Sequence, residues 1–325
     1  MRQAVNILFL GGAKRVSMAR MFKKAAARMG LEAVIFSYEL TSEVPIAEEA
    51  SVIIGLRWND PDLMRHLHET VEENRIDILV PFVDQAVAVA ARFCRSFPGC
   101  FCPCSTPEFA DAMFDKAVAD RLFREASMPL PPEAEGSARV ICKPRFGSAS
   151  KGLLVVSQEE YRLMASDPET AGKYIFQGYV AEREEYSVDC YVNSDGGFVC
   201  AVPRKRLEVT GGEVTSTVTV HAPALAELSR QTLEKLGIRG AATLQFLHPV
   251  SADGSSAPGG YMLMEVNPRL GGGAVCSVHA GADIPAYILS DWLGKPTKPL
   301  ASWHENLLIC RYPAEVPFLD GKLLR

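Results

Sequence analysis

The chain has 325 residues, 48% hydrophobic and 22% charged, with a formal net charge of −5; this is the composition of a globular rather than a disordered chain and allows two or three domains with cores of their own. No basic run is longer than Arg204-Lys205-Arg206, so the broad positive face that a nucleic-acid backbone requires is missing. The opening apolar run stops at Gly11-Gly12, too short for a membrane span and without a small-residue cleavage site, so a cytoplasmic protein with small-molecule partners, and neither nucleic acid nor membrane, is expected.

Nine cysteines are irregularly spaced and odd in number, which points to reduced thiols rather than a disulfide framework. Positions 100, 102 and 104 alternate as in a strand and would put three thiols on one face. With no CxxC knuckle to wrap an ion, buried small residues are preferred there over a metal site.

In chain order, the apolar run Val5 to Leu10, the glycine pair, an amphipathic helix from about Lys14 to Met29 and a strand around Ala33 to Phe36 form a β-α-β unit. A strand at Ser51 to Ile54, a helix over about Pro61 to Asn74, a strand at Asp77 to Phe82 and a helix after Asp84 continue the alternation. That predicts a parallel sheet covered on both faces, closing near residue 105. Gly11-Gly12 without a surrounding GxGxxG assigns no cofactor. A helix then starts near Asp115, and a proline-rich break covers Met128 to Pro132. Strands at Tyr174 to Val180, Glu185 to Asn193, Phe198 to Leu207 and Val214 to Val220 read as half-buried antiparallel strands. A helix from Ala224 to Leu236, strands at Ala241 to Leu247 and Gly260 to Val266, and a last helix at Ile284 to Trp292 complete the pattern.

Four stretches carry chemistry. Residues 143–152 (KPRFGSASKG) join a strand ending in Lys143 to a small-residue loop including Ser148 and Ser150, whose backbone N–H groups can close over phosphate; a plain hairpin turn has similar composition. Tyr174 to Val180 form a strand whose end exposes backbone donors and acceptors able to read an adenine edge. The acids Glu182, Glu184 and Glu185 follow, as a ribose acceptor or as a solvated charge run. Glu265 and Asn267 share one strand face and offer hard oxygens of the kind magnesium takes, with Gln245 on the preceding strand and Arg269 placed to steady phosphate. Alternatively, these form only a polar strand end. Finally, in 203–213 (PRKRLEVTGGE), Arg204 and Arg206 face one way and Lys205 the other; a cleft-lining strand and a basic surface strand fit equally.

Taken in this order the stretches resemble the ATP-grasp superfamily, and more closely members similar to the large subunit of carbamoyl phosphate synthase. The resemblance spans nearly the whole chain, from Ile7 to Gly12 with Lys14-Arg15-Val16, through Asp77 to Asp84, to the Glu265-Val-Asn-Pro-Arg269 unit, its most specific part. It implies an α/β and α+β architecture: a Rossmann-like pre-ATP-grasp domain (1–105), a small lid (106–177) and a larger C-terminal antiparallel-sheet subdomain (178–325). It implies ATP on Lys116, Lys143, Ser148, Ser150, Gln177, Tyr179, Val180 and Glu185, with Glu184 the alternative to Glu185. It places Mg2+, or Mn2+, on Gln245, Glu265 and Asn267, and gives Lys143 and Arg269 catalytic roles; Arg206, from the basic strand, is added as a catalytic candidate, and with Arg204 and Glu213 as a candidate for holding an amino-acid-like substrate. The implied activity is an ADP-producing ligase that joins a carboxylate to an amine, with a homodimer as the family expectation. A kinase or carboxylase on the same fold, or a nucleotide-binding regulatory module, are the alternatives. Gln245 stands where many relatives carry an acid, and Ala181-Glu-Arg-Glu184 replaces a shorter turn. Leu270-Gly-Gly-Gly273 implies a different acceptor pocket. A single ATP-grasp unit without a glutaminase half argues against carbamoyl phosphate synthesis itself.

Overall fold

The computed structural model describes residues 3–147, 151–251 and 260–324. Its first part alternates strands and helices: β1 (Gln3–Leu10), α1 (Val16–Arg28), β2 (Leu31–Glu39), β3 (Ser51–Ile54), α2 (Leu63–Glu73), β4 (Ile78–Pro81) and α3 (Asp84–Ser96). The strands form one parallel sheet in the order β3-β2-β1-β4. Alternation along β1 divides its apolar side chains between two cores. Val5, Ile7 and Phe9 pack with Met18, Phe22 and Ala26 of α1, whereas Leu8 and Leu10 pack with Leu67 of α2 and Ala90 of α3. Gly11 holds φ +73° in the turn after β1, a conformation only glycine enters without strain.

The thiol-rich segment is not a strand. Only Phe101 bridges to the sheet, beside Ile78, and the chain turns at once, with Cys104 N–H donating to the Cys102 carbonyl at 2.9 Å. The turn sets the Cys102 and Cys104 sulfurs 3.1 Å apart. Alternation alone was misleading because a strand also needs neighbours along its whole length.

Next come α4 (Pro107–Phe114), α5 (Lys116–Glu125), β5 (Arg139–Pro144), β6 (Leu154–Ser157), α6 (Gln158–Ser166), α7 (Pro168–Lys173) and β7 (Tyr174–Gly178). The three strands form a small antiparallel sheet in the order β6-β5-β7. Asp115 caps α5 by accepting from Ala117 N–H at 3.1 Å, and its carboxylate is gripped by Arg145 at 2.8 and 2.6 Å. The glycine loop is thereby tied to the start of α5.

The remainder is β8 (Arg183–Val192), β9 (Phe198–Thr210), β10 (Glu213–Thr219), α8 (Pro223–Lys235), β11 (Gly240–Pro249), β12 (Met262–Asn267), α9 (Ala274–His279), α10 (Ile284–Trp292), β13 (Leu308–Cys310), β14 (Phe318–Leu319) and β15 (Lys322–Leu323). Six strands make one antiparallel sheet, β12-β11-β8-β9-β10-β13. The expectation of half-buried strands fails for β8, where the last seven residues are all buried. One face, with Val188, Cys190 and Val192, packs under α8; the other carries Tyr191 into the core that α10 shares with the parallel sheet. Both faces are covered, so the polar side the alternation rule anticipates is either buried or lines a cleft.

Candidate functional site

Period-2 alternation places a set of polar side chains on one face of the large sheet. Tyr191 of β8, Val202 of β9 and Ala241 of β11 lie in the same core. Two-residue steps from them reach Asp189, Ser187 and Glu185, then Arg204 and Arg206, then Thr243 and Gln245. On β12, Gln245 pairs in register with Glu265, and Thr243 with Asn267. Arg204 and Arg206 therefore point into the cleft, while Lys205 turns away and donates to Glu184 at 2.5 Å. The basic-surface alternative for this strand fails, since Arg204 is only 2% exposed.

The small sheet faces this array across a cavity of about 170 Å³. Ile141 and Lys143 of β5 and Ile175 and Gln177 of β7 pair with one another and line it together. Helix α5 contributes Lys116, Ala119, Asp120 and Phe123, one helical face at i, i+3, i+4, i+7. The opposite wall holds Glu185, Arg206, Gln245 and Glu265. Lys143, Gln177 and Glu265, separated by up to 122 residues (265 − 143), thus border one space. Asn267 lies alongside, in a smaller recess that Lys116, Gly147 and Glu265 also line.

Lys143 Nζ donates to Gln177 Oε1 at 2.7 Å, and Gln177 Nε2 donates to Asp120 Oδ1 at 2.9 Å. Burial lowers the Lys143 pKa from its ordinary value, and Glu265 and Asp120 pull it back up. A triphosphate entering here would meet a cation already desolvated and held straight. Burial likewise lowers Arg206, against the opposing pull of Glu185, whose Oε2 lies 3.5 Å away. Lys116 Nζ donates to the Gly147 carbonyl at 2.5 Å. Arg269 Nε donates to Asp84 Oδ1 at 2.5 Å, linking the strand β12 end to the first helical residue of α3.

The structure refines several sequence expectations. The Tyr179 N–H is already donated to the Arg139 carbonyl at 2.9 Å, so this donor is not free for a base. The Val180 carbonyl accepts from Arg183 at 2.8 Å. The Arg183 guanidinium also lies over the Tyr179 ring, 5.2 Å from its centre. Of the two candidate acids, Glu185 lines the cavity; Glu184 is engaged by Lys205 and by the Tyr186 hydroxyl, both at 2.5 Å. Ser148 and Ser150 lie outside the described residues. Asp120 and Arg183 were not singled out from sequence, although Asp120 stands four residues after Lys116, the spacing that puts both on one face.

Glu265, Gln245 and Asn267 present one carboxylate and two amide oxygens. Such a hard-oxygen set suits Mg2+ when phosphate oxygens complete the shell, since that ion takes one or two carboxylates plus substrate phosphates. Gln245 and Glu265 also stand opposite each other on adjacent strands, so two of the three donors converge by register alone.

Residues 175–311 match a family described as "ATP-grasp in the biosynthetic pathway with Ter operon". No curated protein sequence matches the chain. Among solved structures, it resembles a biotin carboxylase from Campylobacter jejuni in a β,γ-ATP complex (TM-score 0.71, 19% identity, covering 94% of this chain and 75% of that one). It also resembles N5-carboxyaminoimidazole synthetase from Staphylococcus aureus complexed with ADP (TM-score 0.70, 14% identity, 94% and 81%). A third is the biotin carboxylase domain of Hydrogenobacter thermophilus 2-oxoglutarate carboxylase, in a structure with MgADP, ADP and bicarbonate (TM-score 0.70, 16% identity, 94% and 74%). The fold is that of the ATP-grasp superfamily. No helix among the described residues is long and apolar enough to cross a membrane.

Proposed function

We propose that this chain, an ATP-grasp superfamily protein, is a ligase that activates a carboxylate as an acyl phosphate at the expense of ATP and passes the acyl group to an amine. One observation carries the reading: Lys143 from the small sheet and Glu265 and Gln245 from the large one border a single cleft between the two. The adenosine end would lie toward Gln177 and Glu185 and the phosphates toward Lys143, Lys116 and Glu265.

In the first step a carboxylate oxygen forms a bond to the γ-phosphorus as the bond to the bridging oxygen of ADP breaks. Such transfers are catalysed by positioning and charge stabilisation. Lys143 and Arg206 are both desolvated, which strengthens their pull on negative charge growing at the transferred group. Arg269, held by Asp84, keeps a fixed cation in the adjoining cavity. Magnesium held on Glu265, Asn267 and Gln245 would supply charge neutralisation at the phosphates. In the second step the amine forms a C–N bond as the acyl C–O bond to phosphate breaks, and the departing phosphate takes the amine proton. The acyl phosphate must be kept from water, a task suited to the 145–152 loop, which Arg145 and Lys116 anchor at its start.

The test is a screen of acids and amines with purified protein and Mg-ATP, following nucleotide and phosphate. ADP and phosphate are the expected products; AMP and pyrophosphate would eliminate the acyl-phosphate route. Strict dependence on bicarbonate would instead favour a carboxylase, and ATP binding without turnover across the screen would favour a regulatory module.

A further inference from the structure

A second cavity of about 380 Å³ adjoins the nucleotide cleft, and Gly147, Arg206 and Gln245 line both. Arg15, Arg204, Arg206, Arg269 and Arg311 line it, with the carboxylates of Asp84 and Glu213; counting also Asp189 on Arg204 and Glu185 beside Arg206, five cations meet four anions and leave an excess of one. Such crowding of like charge is unfavourable unless an anion joins it. Its effect shows at Arg15, whose pKa is lowered to about 10 by burial first and then by Arg269, with Arg311 adding to the shift and Glu213 opposing it.

Arg204 is the most constrained of the five. Its Nε and Nη2 donate to Asp189 at 2.7 and 3.3 Å. Asp189 is itself fixed by the hydroxyls of Thr243 at 2.9 Å and Ser277 at 2.6 Å. The third nitrogen, Nη1, is buried without a partner among the described residues, as is Arg15 Nε. A buried charged donor left unpaired is costly, and here the rigid mounting prevents it from turning away.

The guanidinium groups meet at one glycine turn. A Cβ on Gly272 would lie 3.1 Å from Arg15 Nη1 and 3.4 Å from Arg311 Nη1, and a Cβ on Gly273 would lie 2.6 Å from Arg204 Nη1. Three cations from distant parts of the chain thus frame a space that any side chain on the turn would begin to fill. Arg206, by contrast, borders the nucleotide cleft, and Arg269 Nη2 lies 3.4 Å from Asn267 Oδ1. Arg15, Arg204 and Arg311 thus gather at the glycine turn, with Arg269 reaching from the Asn267 side close enough to act on Arg15.

We propose that this cavity takes a dianionic acid, with its reacting carboxylate beside Arg206 and Arg269 and a second compact anionic group, carboxylate or phosphate, on Arg15, Arg204 and Arg311. Which end reacts rests on the ligase reading; the distal anion site does not. The volume exceeds what a single carbonate-sized ion would occupy, so a multi-atom acid with charge at both ends matches the lining better.

The test is calorimetric binding to the intact protein without nucleotide, comparing succinate with butyrate, glutarate with pentanoate, and phosphoglycolate with glycolate. In at least one pair the dianion should bind about tenfold tighter or more, as expected for an added charge-assisted contact. Arg15→Gln and Arg311→Gln should each remove most of that preference while ATP binding, measured separately, persists. Equal binding in all three pairs, or a preference that survives both substitutions, would overturn the proposal. Dianion preference with the predicted arginine dependence but no ADP release under any acid and amine would instead remove the ligase reading and leave the site standing. ADP release driven equally by mono- and dianions would do the reverse.

Discussion

Gln245 and Glu265 stand opposite each other on paired strands of the large sheet, so one ladder step brings an amide oxygen and a carboxylate to the same edge of the proposed nucleotide cleft. Glu265 supplies the only formal negative charge of the proposed magnesium set. Glu265→Gln keeps the shape and removes that charge, so ADP release should fall by about a hundredfold or more, with the unfolding midpoint nearly unchanged. Gln245→Glu should lower the magnesium concentration needed for half-maximal turnover. Kinetic titrations with magnesium, run beside thermal melts, check both; a loss of folding that matches the loss of rate would make Glu265 structural.

Adjacent residues on a strand face opposite ways, and Glu184 and Glu185 are separated by this rule. Glu185 lines the proposed nucleotide cleft, while Glu184 is bonded to Lys205 and Tyr186. A carboxylate bonded to ribose hydroxyls is worth roughly 1.5–3 kcal/mol, as for hydrogen bonds to charged groups. Glu185→Ala should therefore raise the KM for ATP roughly tenfold to a hundredfold, and Glu184→Ala should leave it close to wild type. Initial rates at varied ATP distinguish them, and the reverse ranking would give the ribose role to Glu184.

How much of this was legible beforehand follows from the range of each determinant. The parallel sheet could be read because β1, α1 and β2 are specified by local periodicity, and the Glu265/Asn267 pairing because two residues on one strand share a face. Arg204 and Arg206 could be assigned to a common face but not to a cleft, because the burial of that face comes from α9, α10 and the parallel sheet. The proposed role of Arg15 and Arg311 was invisible: they lie 296 positions apart (311 − 15) and are brought together only by the fold, beside Gly272. The three-thiol strand failed for the converse reason, since alternation at 100–104 described the side chains without supplying partners for the backbone.

Lys143 gives a pH prediction. Its pKa in the free protein lies below the ordinary 10.5, with burial the largest cause, and a bound triphosphate would raise it by favouring the cation. Binding therefore takes up a proton between the free and bound values. ATP affinity should be fully present below the free-protein pKa and fall as pH rises through it, by up to tenfold per pH unit. Lys143→Met should bind ATP more weakly at neutral pH and lose this dependence. Affinity measured from pH 7 to 10 in both proteins checks the sign; a wild-type affinity that rises with pH would contradict it.

The Asp189–Arg204 pair should behave differently from the cleft residues, because it holds the anion site together from below. Asp189 is fully buried and Arg204 is 2% exposed, and the Thr243 and Ser277 hydroxyls also donate to the carboxylate. Removing one member strands the other charge in the interior, so Asp189→Ala should cost roughly 3–5 kcal/mol in urea unfolding. Replacing both with apolar residues, Asp189→Leu with Arg204→Met, removes the stranded charge and should recover most of that loss. The restored stability would not restore Arg204 Nη1. The double variant should therefore fold and bind ATP yet lose the preference for a dianion. If it kept that preference, the distal anion would be held by Arg15 and Arg311 alone, and the buried pair would serve the fold only.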